Sequence, residues 1–280
     1  MPGTLYLCAT PIGNLGDMTP RAVEILQMAD VIAAEDTRNS IKLLNHFDIH
    51  TPMTSYHEFN KVEKAHQLVE SLLEGKNVAL ITDAGMPAIS DPGEVLVRFC
   101  HESGITVTAL PGPCACVTAL ALSGLPTRRF CFEAFLPTDK KERAPILEEL
   151  KDESRTIILY EAPHRLIRTL ELLLAELGDR RITLCKELTK RFESIWPTTI
   201  SEALEQFQTE EPRGEYVIVM EGRSFEEKKQ DQMEQFLQMS IEEHMALYEG
   251  QGMDRKEAMK AVAKDRGISK RDVYQYLLTL

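Results

Sequence analysis

The sequence predicts an α/β fold with two domains, and three observations carry that prediction. Short apolar runs rich in β-branched residues alternate with helical patterns through the first 110 residues. Three of those runs are followed directly by Gly/Pro-rich segments. From about Gly124 the strand patterns crowd together, some of them consecutive, which is the grammar of a second and mixed sheet.

In chain order, the first strands are expected at Thr4 to Ala9, Asp30 to Ala34, Asn77 to Thr82 and Ile105 to Leu110. Between them, Thr19-Pro20 opens a helix as N-cap and first residue, with Val23, Ile25, Leu26 and Met28 as its apolar face. Further helices are expected over Arg38 to Phe47, Val62 to Leu73 and Glu94 to His101, the last two stopping near Gly75 and Gly104. This βα alternation argues for a parallel sheet covered by helices on both faces. Strands of the second region are expected at Phe130 to Phe135, Arg155 to Tyr160, Arg181 to Leu188, Glu193 to Thr199 and Glu215 to Met220. Ser123-Gly124-Leu125-Pro126-Thr127 is the expected hinge, which divides the chain into 1–122, 123–225 and a helical tail, 226–280. The tail begins with a helical Gln/Glu/Met-rich stretch from Glu226 to Tyr248 and ends with two helix-start boxes, Asp254 to Glu257 and Ser269 to Asp272, on either side of Gly267. Met253 to Asp272 holds seven Lys/Arg against four Asp/Glu. That is either an amphipathic pair with solvated charges or a helix-turn-helix-like contact for RNA or protein.

The chain has 280 residues, 43% of them hydrophobic, and a formal net charge of −12. No overall positive field would hold nucleic acid or an anionic membrane, so any RNA contact must be local. The start of the chain lacks a basic stretch and an apolar signal core, and no run is long enough for a membrane helix, so a cytoplasmic location is expected. Six cysteines without a CxxC pair read as thiols, without a disulfide framework or structural zinc. His46 and His50 straddle a helix end, and no metal site is expected.

The Gly/Pro segments are Thr10 to Gly16, Asp83 to Gly93 and Pro111 to Cys116. Loops at the carboxyl ends of parallel strands line the ligand crevice, and glycine lets backbone amides approach a ligand there. There is no GxGxxG after the first strand and no GxxxxGK[ST], so a dinucleotide or polyphosphate is not indicated. Asp83 and Asp91 suit a ligand with a positive centre and ribose hydroxyls.

Taken together, Ala9 to Leu15, Glu35-Asp36-Thr37-Arg38, Thr82 to Pro87 with Ser90 to Gly93, Pro111-Gly112-Pro113, Tyr160 to Arg165 and Lys186 to Lys190 resemble the tetrapyrrole methylase family. The Glu35 to Arg38 tetrad makes the resemblance stronger to its ribosomal RNA methylases than to its porphyrin-precursor enzymes. The resemblance implies a two-domain tetrapyrrole-methylase-like fold with an S-adenosylmethionine cleft between domains, and a homodimer. It further implies methylation of the ribose 2′-oxygen of a cytidine in 16S rRNA, on the small ribosomal subunit. Positions carried over to the cofactor are Pro11, Asp83, Ala84, Gly85, Ser90, Asp91, Ala115, Cys116, Leu159, Tyr160 and Gly214. Cys114 stands where the family pattern has Ser, and Lys186 where it has Arg.

Glu35 and Asp36 are the candidate proton acceptors, and the competing reading is that they cap the next helix or pair with Arg38. Arg38, Arg165, Lys186, Lys190 and Arg191 are candidate RNA contacts, each of which could equally be a solvated charge. Competing functions are methylation of a tetrapyrrole precursor or protein side chain, or a non-catalytic RNA-binding sensor of S-adenosylmethionine.

Overall fold

A computed structural model describes residues 1–278. Residues 1–147 with 155–221 form one compact unit, and residues 148–154 with the rest of the described tail form another.

In the larger unit, β1 (Thr4–Cys8), β2 (Val31–Ala34), β3 (Met53–Ser55), β4 (Val78–Ile81) and β5 (Thr106–Leu110) make a sheet of order β3-β2-β4-β1-β5. Every neighbouring pair is parallel. Strand alternation explains why both faces are covered. Leu5, Leu7, Ala33, Val78 and Leu80 point to one face, where they pack with residues of α3 (Lys61–Leu73) and α4 (Gly93–Glu102). Cys8, Ile32, Ala34, Ala79 and Ile81 point to the other and meet α1 (Pro20–Met28) and Leu44 of α2 (Thr37–His46). Thr19 caps α1 as expected, its side chain accepting from the Ala22 amide. β3 is an addition to the expected strands. It is an edge strand of three residues beside Pro52, bonded on one side only, so it carries no buried apolar run.

The second sheet is β6 (Phe130–Ala134), β7 (Thr156–Glu161), β8 (Arg181–Lys186), β9 (Ser194–Thr199) and β10 (Tyr216–Met220), in the order β6-β7-β10-β8-β9. β6 and β7 are parallel and the other pairs antiparallel. β10, central and wholly buried, packs Val217 and Val219 with Ile158, Cys185 and the Cys116, Ala119 and Leu120 face of α5 (Ala115–Leu122). The Ser123 to Thr127 segment is bonded into this unit: the Thr183 hydroxyl donates to Ser123 O at 2.8 Å, and Ser123 Oγ accepts from the Leu125 amide. The remaining helices of this region are α6 (Lys140–Lys151), α7 (Pro163–Leu177) and α8 (Ile200–Gln206).

The tail folds as α9 (Phe225–Gln238), α10 (Ile241–Gly250), α11 (Arg255–Asp265) and α12 (Lys270–Leu278), while 279–280 lie outside the described residues. The polar stretch expected to run through Tyr248 is divided at Ser240, which makes a reciprocal capping box with Glu243. Both boxes expected from the sequence are present: Asp254 accepts from the Lys256 and Glu257 amides, and Ser269 and Asp272 cap each other. Gly267, at φ +65°, makes the turn between them. Ile241, Met245, Ala258, Val262, Ala263 and Val273 are this unit's own core. No helix of the described residues is long and apolar enough to cross a membrane.

Candidate active site

The loops after β1 and β4 are tied at their roots. Thr10 and Gly85 exchange backbone hydrogen bonds at 2.9 and 3.1 Å, and the buried Thr10 hydroxyl donates to Thr82 O at 3.0 Å. Gly85 sits at φ +89°, and a Cβ there would meet Ile12 Cγ2 at 3.3 Å, so glycine serves both the turn and the close approach. Further along, Asp91 Oδ1 accepts from the Ala88 and Gly93 amides at 2.9 and 2.8 Å. These bonds hold a loop in which Ala88 and Ser90 take φ of 68° and 65°.

Neighbouring β2 delivers the acidic tetrad to the same edge. Glu35 Oε2 accepts from Thr82 Oγ1 at 2.8 Å. Asp83 accepts from the Asp36 amide at 3.3 Å and from Asn39 Nδ2 at 3.2 Å. Asp36 turns away, capping α2 through the Arg38 amide and gripping the Arg38 guanidinium at 3.1 and 2.8 Å. That guanidinium bond, with the amide, holds the Asp36 carboxyl at about 2.

These loops and the second sheet enclose a cavity of about 340 Å³. Of the sequence-selected residues, Glu35, Asp83, Ala84, Gly85, Ser90, Asp91, Ala115, Tyr160 and Lys190 line it. Asp36, Pro11, Cys116, Leu159 and Gly214 stand outside its lining, as do Arg38, Arg165, Lys186 and Arg191. Several of these support the wall from behind. The Cys116 amide donates to the Tyr160 hydroxyl at 3.0 Å, and buried Leu159 pairs with Ile218 beneath it. Phe132 and Phe135 meet the Tyr160 ring edge-on at 4.9 and 5.6 Å. At Gly214, φ +78°, a Cβ would lie 2.5 Å from Glu187 Cγ. The missing side chain leaves room for Glu187 Oε1 to accept from the Glu215 amide at 2.9 Å and from Lys190 Nζ at 2.8 Å. Lys190 also reaches Glu215 at 2.8 Å, so its charge is spent inside the wall.

The other cations differ in their commitments. Arg165 donates to Leu136 O at 2.7 Å and pairs with buried Glu161 at 3.2 Å, a structural role at the start of α7. Arg38, 88% exposed, and exposed Arg191, stacked on Phe192 at 5.6 Å, face solvent. Lys186 lines a separate depression with Trp196, Phe207 and Tyr216.

Sequence reasoning missed Ile12, Met86, Ile89, Cys114, Phe135 and Leu188 in the lining. Ile12, Met86 and Ile89 lie within the loops that were singled out, but an apolar loop residue carries no chemical signature of its own. Phe135 and Leu188 follow strands of the second sheet, and only the folding of that sheet against the loops brings them in.

The chemistry of the cavity follows from its atoms. Asp91 Oδ2 is buried with no hydrogen-bond partner among the described residues, and burial pushes this carboxyl up in spite of the amides on Oδ1. A lining that holds the carboxylates of Glu35, Asp83 and Asp91 together with apolar Ile12, Met86 and Leu188 suits a ligand carrying hydroxyl or ammonium donors and a flat apolar part. A polyphosphate would meet carboxylates instead of free cations. Among the described residues no group of three or more His, Cys, Asp or Glu converges as a metal site would.

Residues 4–204 match the Tetrapyrrole (Corrin/Porphyrin) Methylases. Curated relatives named ribosomal RNA small subunit methyltransferase I include that of Halalkalibacterium halodurans, 49% identical over 97% of this chain and 93% of its own. Those of Bacillus subtilis, 46% over 97% and 93%, and Escherichia coli O157:H7, 43% over 99% and 95%, are similar. Among solved structures, a diphthine synthase superposes with TM-score 0.64 at 14% identity, over 79% of this chain and 91% of that one. A uroporphyrin-III C-methyl transferase from Thermus thermophilus complexed with S-adenyl homocysteine gives 0.54 at 19%, over 78% and 97%. At such identities these two speak for the fold alone. With a parallel and a mixed sheet about one acidic cavity, and a family match that covers the first sheet and all of the second except β10, the chain belongs to the tetrapyrrole methylase family.

Proposed function

We propose that this chain is an S-adenosylmethionine-dependent methyltransferase of the small ribosomal subunit. Its product is a 2′-O-methylated cytidine in 16S rRNA, made in the cytoplasm by a homodimer. The observation that carries the reading is the set of three carboxylate residues, Glu35, Asp83 and Asp91, that line one cavity with apolar Ile12, Met86 and Leu188. The name shared by relatives at 43–49% identity over almost the whole chain supports the RNA substrate.

The residues fit the cofactor. Asp91 and Asp83 would accept from its hydroxyls and ammonium group, Gly85 leaves the backbone open to it, and Ile12, Met86 and Leu188 would cover its apolar part. When bound, S-adenosylmethionine supplies a methyl carbon already activated by a sulfonium. The chain's own task is then to place a ribose oxygen at roughly 3 to 3.5 Å in line with that carbon and to receive its proton. Glu35 is the better proton acceptor of the two candidates, because it lines the cavity, whereas Asp36 is held ionised by Arg38 and spent on the helix cap. Tyr160 and Phe135, with Phe132 edge-on against the Tyr160 ring, give the cavity an aromatic side. Arg38, Arg165, Lys186, Lys190 and Arg191 are the cations that would meet phosphate; Arg38 and Arg191 are exposed, while Arg38 also pairs with Asp36, Arg165 with Glu161 and Lys190 with Glu187.

The test is to incubate the protein with labelled S-adenosylmethionine and small subunits that lack the modification, then digest the RNA with alkali. A 2′-O-methyl group blocks attack on the adjacent phosphate, so a labelled resistant dinucleotide containing cytidine is expected. Label absent from RNA despite cofactor binding would turn the assignment toward a tetrapyrrole or protein substrate, or toward a sensor without catalysis.

A further inference from the structure

Cys114 and Cys116 flank Ala115 at the start of α5, and their sulfurs lie 3.4 Å apart, close enough for one thiol to donate to the other. Cys114 is the N-cap of the helix, in extended backbone at φ −149° and without a side-chain capping bond. It lines the cavity and is half-buried, whereas Cys116 is buried behind it. The other thiols are placed differently. Cys8, Cys100 and Cys185 are buried in the two cores, where burial pushes them up to about 12, 11 and 12. The Cys131 thiol lies 3.7 Å from Thr156 O. Cys114 goes the other way: the Cys116 thiol donating to its sulfur, helped by the Val117 and Cys116 amides, outweighs burial and favours the thiolate. The same bond, with burial, keeps the Cys116 proton on.

We propose that Cys114 and Cys116 are a reversible modification site, oxidised by hydrogen peroxide to a disulfide that deforms the cavity wall and lowers affinity for the cofactor. Cys114 thiolate attacks one peroxide oxygen; an S–O bond forms, the O–O bond breaks, the sulfur is oxidised by two electrons and hydroxide leaves. Cys116, giving its proton to the departing hydroxide, then attacks the Cys114 sulfur. An S–S bond forms, the S–O bond breaks and a second hydroxide leaves, which takes up the proton that Cys114 released to solvent on becoming a thiolate, so that two thiols and one hydrogen peroxide have become a disulfide and two waters. The thiolate partner faces the cavity and the proton-holding partner sits next to it, which is the order of roles this sequence needs.

The consequence for the cavity follows from geometry. A disulfide draws its sulfurs to roughly 2.05 Å, so the pair must close by more than an ångström from 3.4 Å. Cys114 lines the cavity beside Ala115, and the Cys116 amide holds the Tyr160 hydroxyl at 3.0 Å, so the movement is passed to both sides of the wall. Serine at position 114 would have no such chemistry.

The experiment treats the reduced full-length protein with hydrogen peroxide, blocks remaining thiols with iodoacetamide under denaturing conditions, and reads the linkage by mass spectrometry with fragmentation. Affinity for S-adenosylmethionine is measured on the same samples by calorimetry. Wild type is expected to lose two hydrogens, with the link between Cys114 and Cys116, and to bind at least about tenfold more weakly until dithiothreitol restores it. Cys114→Ser and Cys116→Ser, each compared with itself before treatment, are expected to keep their affinity. A link to Cys100 instead, direct passage of Cys114 to a sulfinic acid, equal peroxide sensitivity in Cys114→Ser, or unchanged affinity in the linked protein would each overturn the proposal. The affinity readout rests on the cofactor reading above. A reduced protein that binds no S-adenosylmethionine would overturn that reading and the inhibition with it, while the mass result still decides whether the pair oxidises.

Discussion

Glu35 and Asp36 are neighbours in sequence with different commitments in space, and the difference is testable residue by residue. The Arg38 bond holds Asp36 at about 2, below the ~3.9 of an unfolded aspartate. Such a group contributes stability above the unfolded value and loses it as pH falls through the folded one. Arg38→Ala is expected to return Asp36 to the ordinary carboxylate range by NMR titration. The unfolding midpoints of variant and wild type should differ at neutral pH and converge below about 2; an unmoved Asp36 would refute the pairing. Asp91 has the opposite sign. Burial raises it, so its ionised form at neutral pH opposes folding, a cost relieved as pH falls through its raised folded value. Asp91→Asn is therefore expected to leave the unfolding midpoint at neutral pH no lower while weakening S-adenosylmethionine binding by about tenfold or more, since it removes one of the three carboxylates lining the cavity. Undiminished affinity would remove Asp91 from the site.

At the scale of elements, the buried central strands were legible because each is a short continuous apolar run, Val78–Ile81 and Tyr216–Met220. β3 was not, since an edge strand of three residues needs only its partner β2 to exist. The break at Ser240 was also hidden, because its Ser-x-x-Glu box lies inside a polar stretch whose helical pattern continues on both sides. The turn into β10 shows how one backbone position governs a wall of the cavity. Gly214→Ala would put a methyl group 2.5 Å from Glu187 Cγ in a left-handed conformation, at a cost of about 1–3 kcal/mol. It is expected to lower the unfolding midpoint and, by displacing Glu187 from Lys190 and Glu215, to weaken cofactor binding. Unchanged values of both would show that the Glu187 network is dispensable.

At the scale of the whole molecule, the two compact units have separate cores, and their responses should separate as well. Val262 is fully buried among Ala258, Val273 and Met245. Val262→Asp buries an unpaired carboxylate, at a cost of several kcal/mol, on the order of 3 or more. It is expected to unfold the tail as an early calorimetric transition, leave S-adenosylmethionine affinity unchanged and weaken binding to small subunits. Wild-type affinity for subunits would show that the tail's excess of basic residues is solvated surface. The sequence by itself determined the βα alternation, the three Gly/Pro loops and the capping boxes, because apolar periodicity, turn chemistry and caps act over a few residues. Only the tertiary structure decided which carboxylates meet. Glu35 reaches Thr82 across 47 positions of chain because β2 lies beside β4, and Asp36, one residue further on, is claimed by its own helix and by Arg38. Strand order is set by long-range packing of both sheet faces, which no local pattern contains.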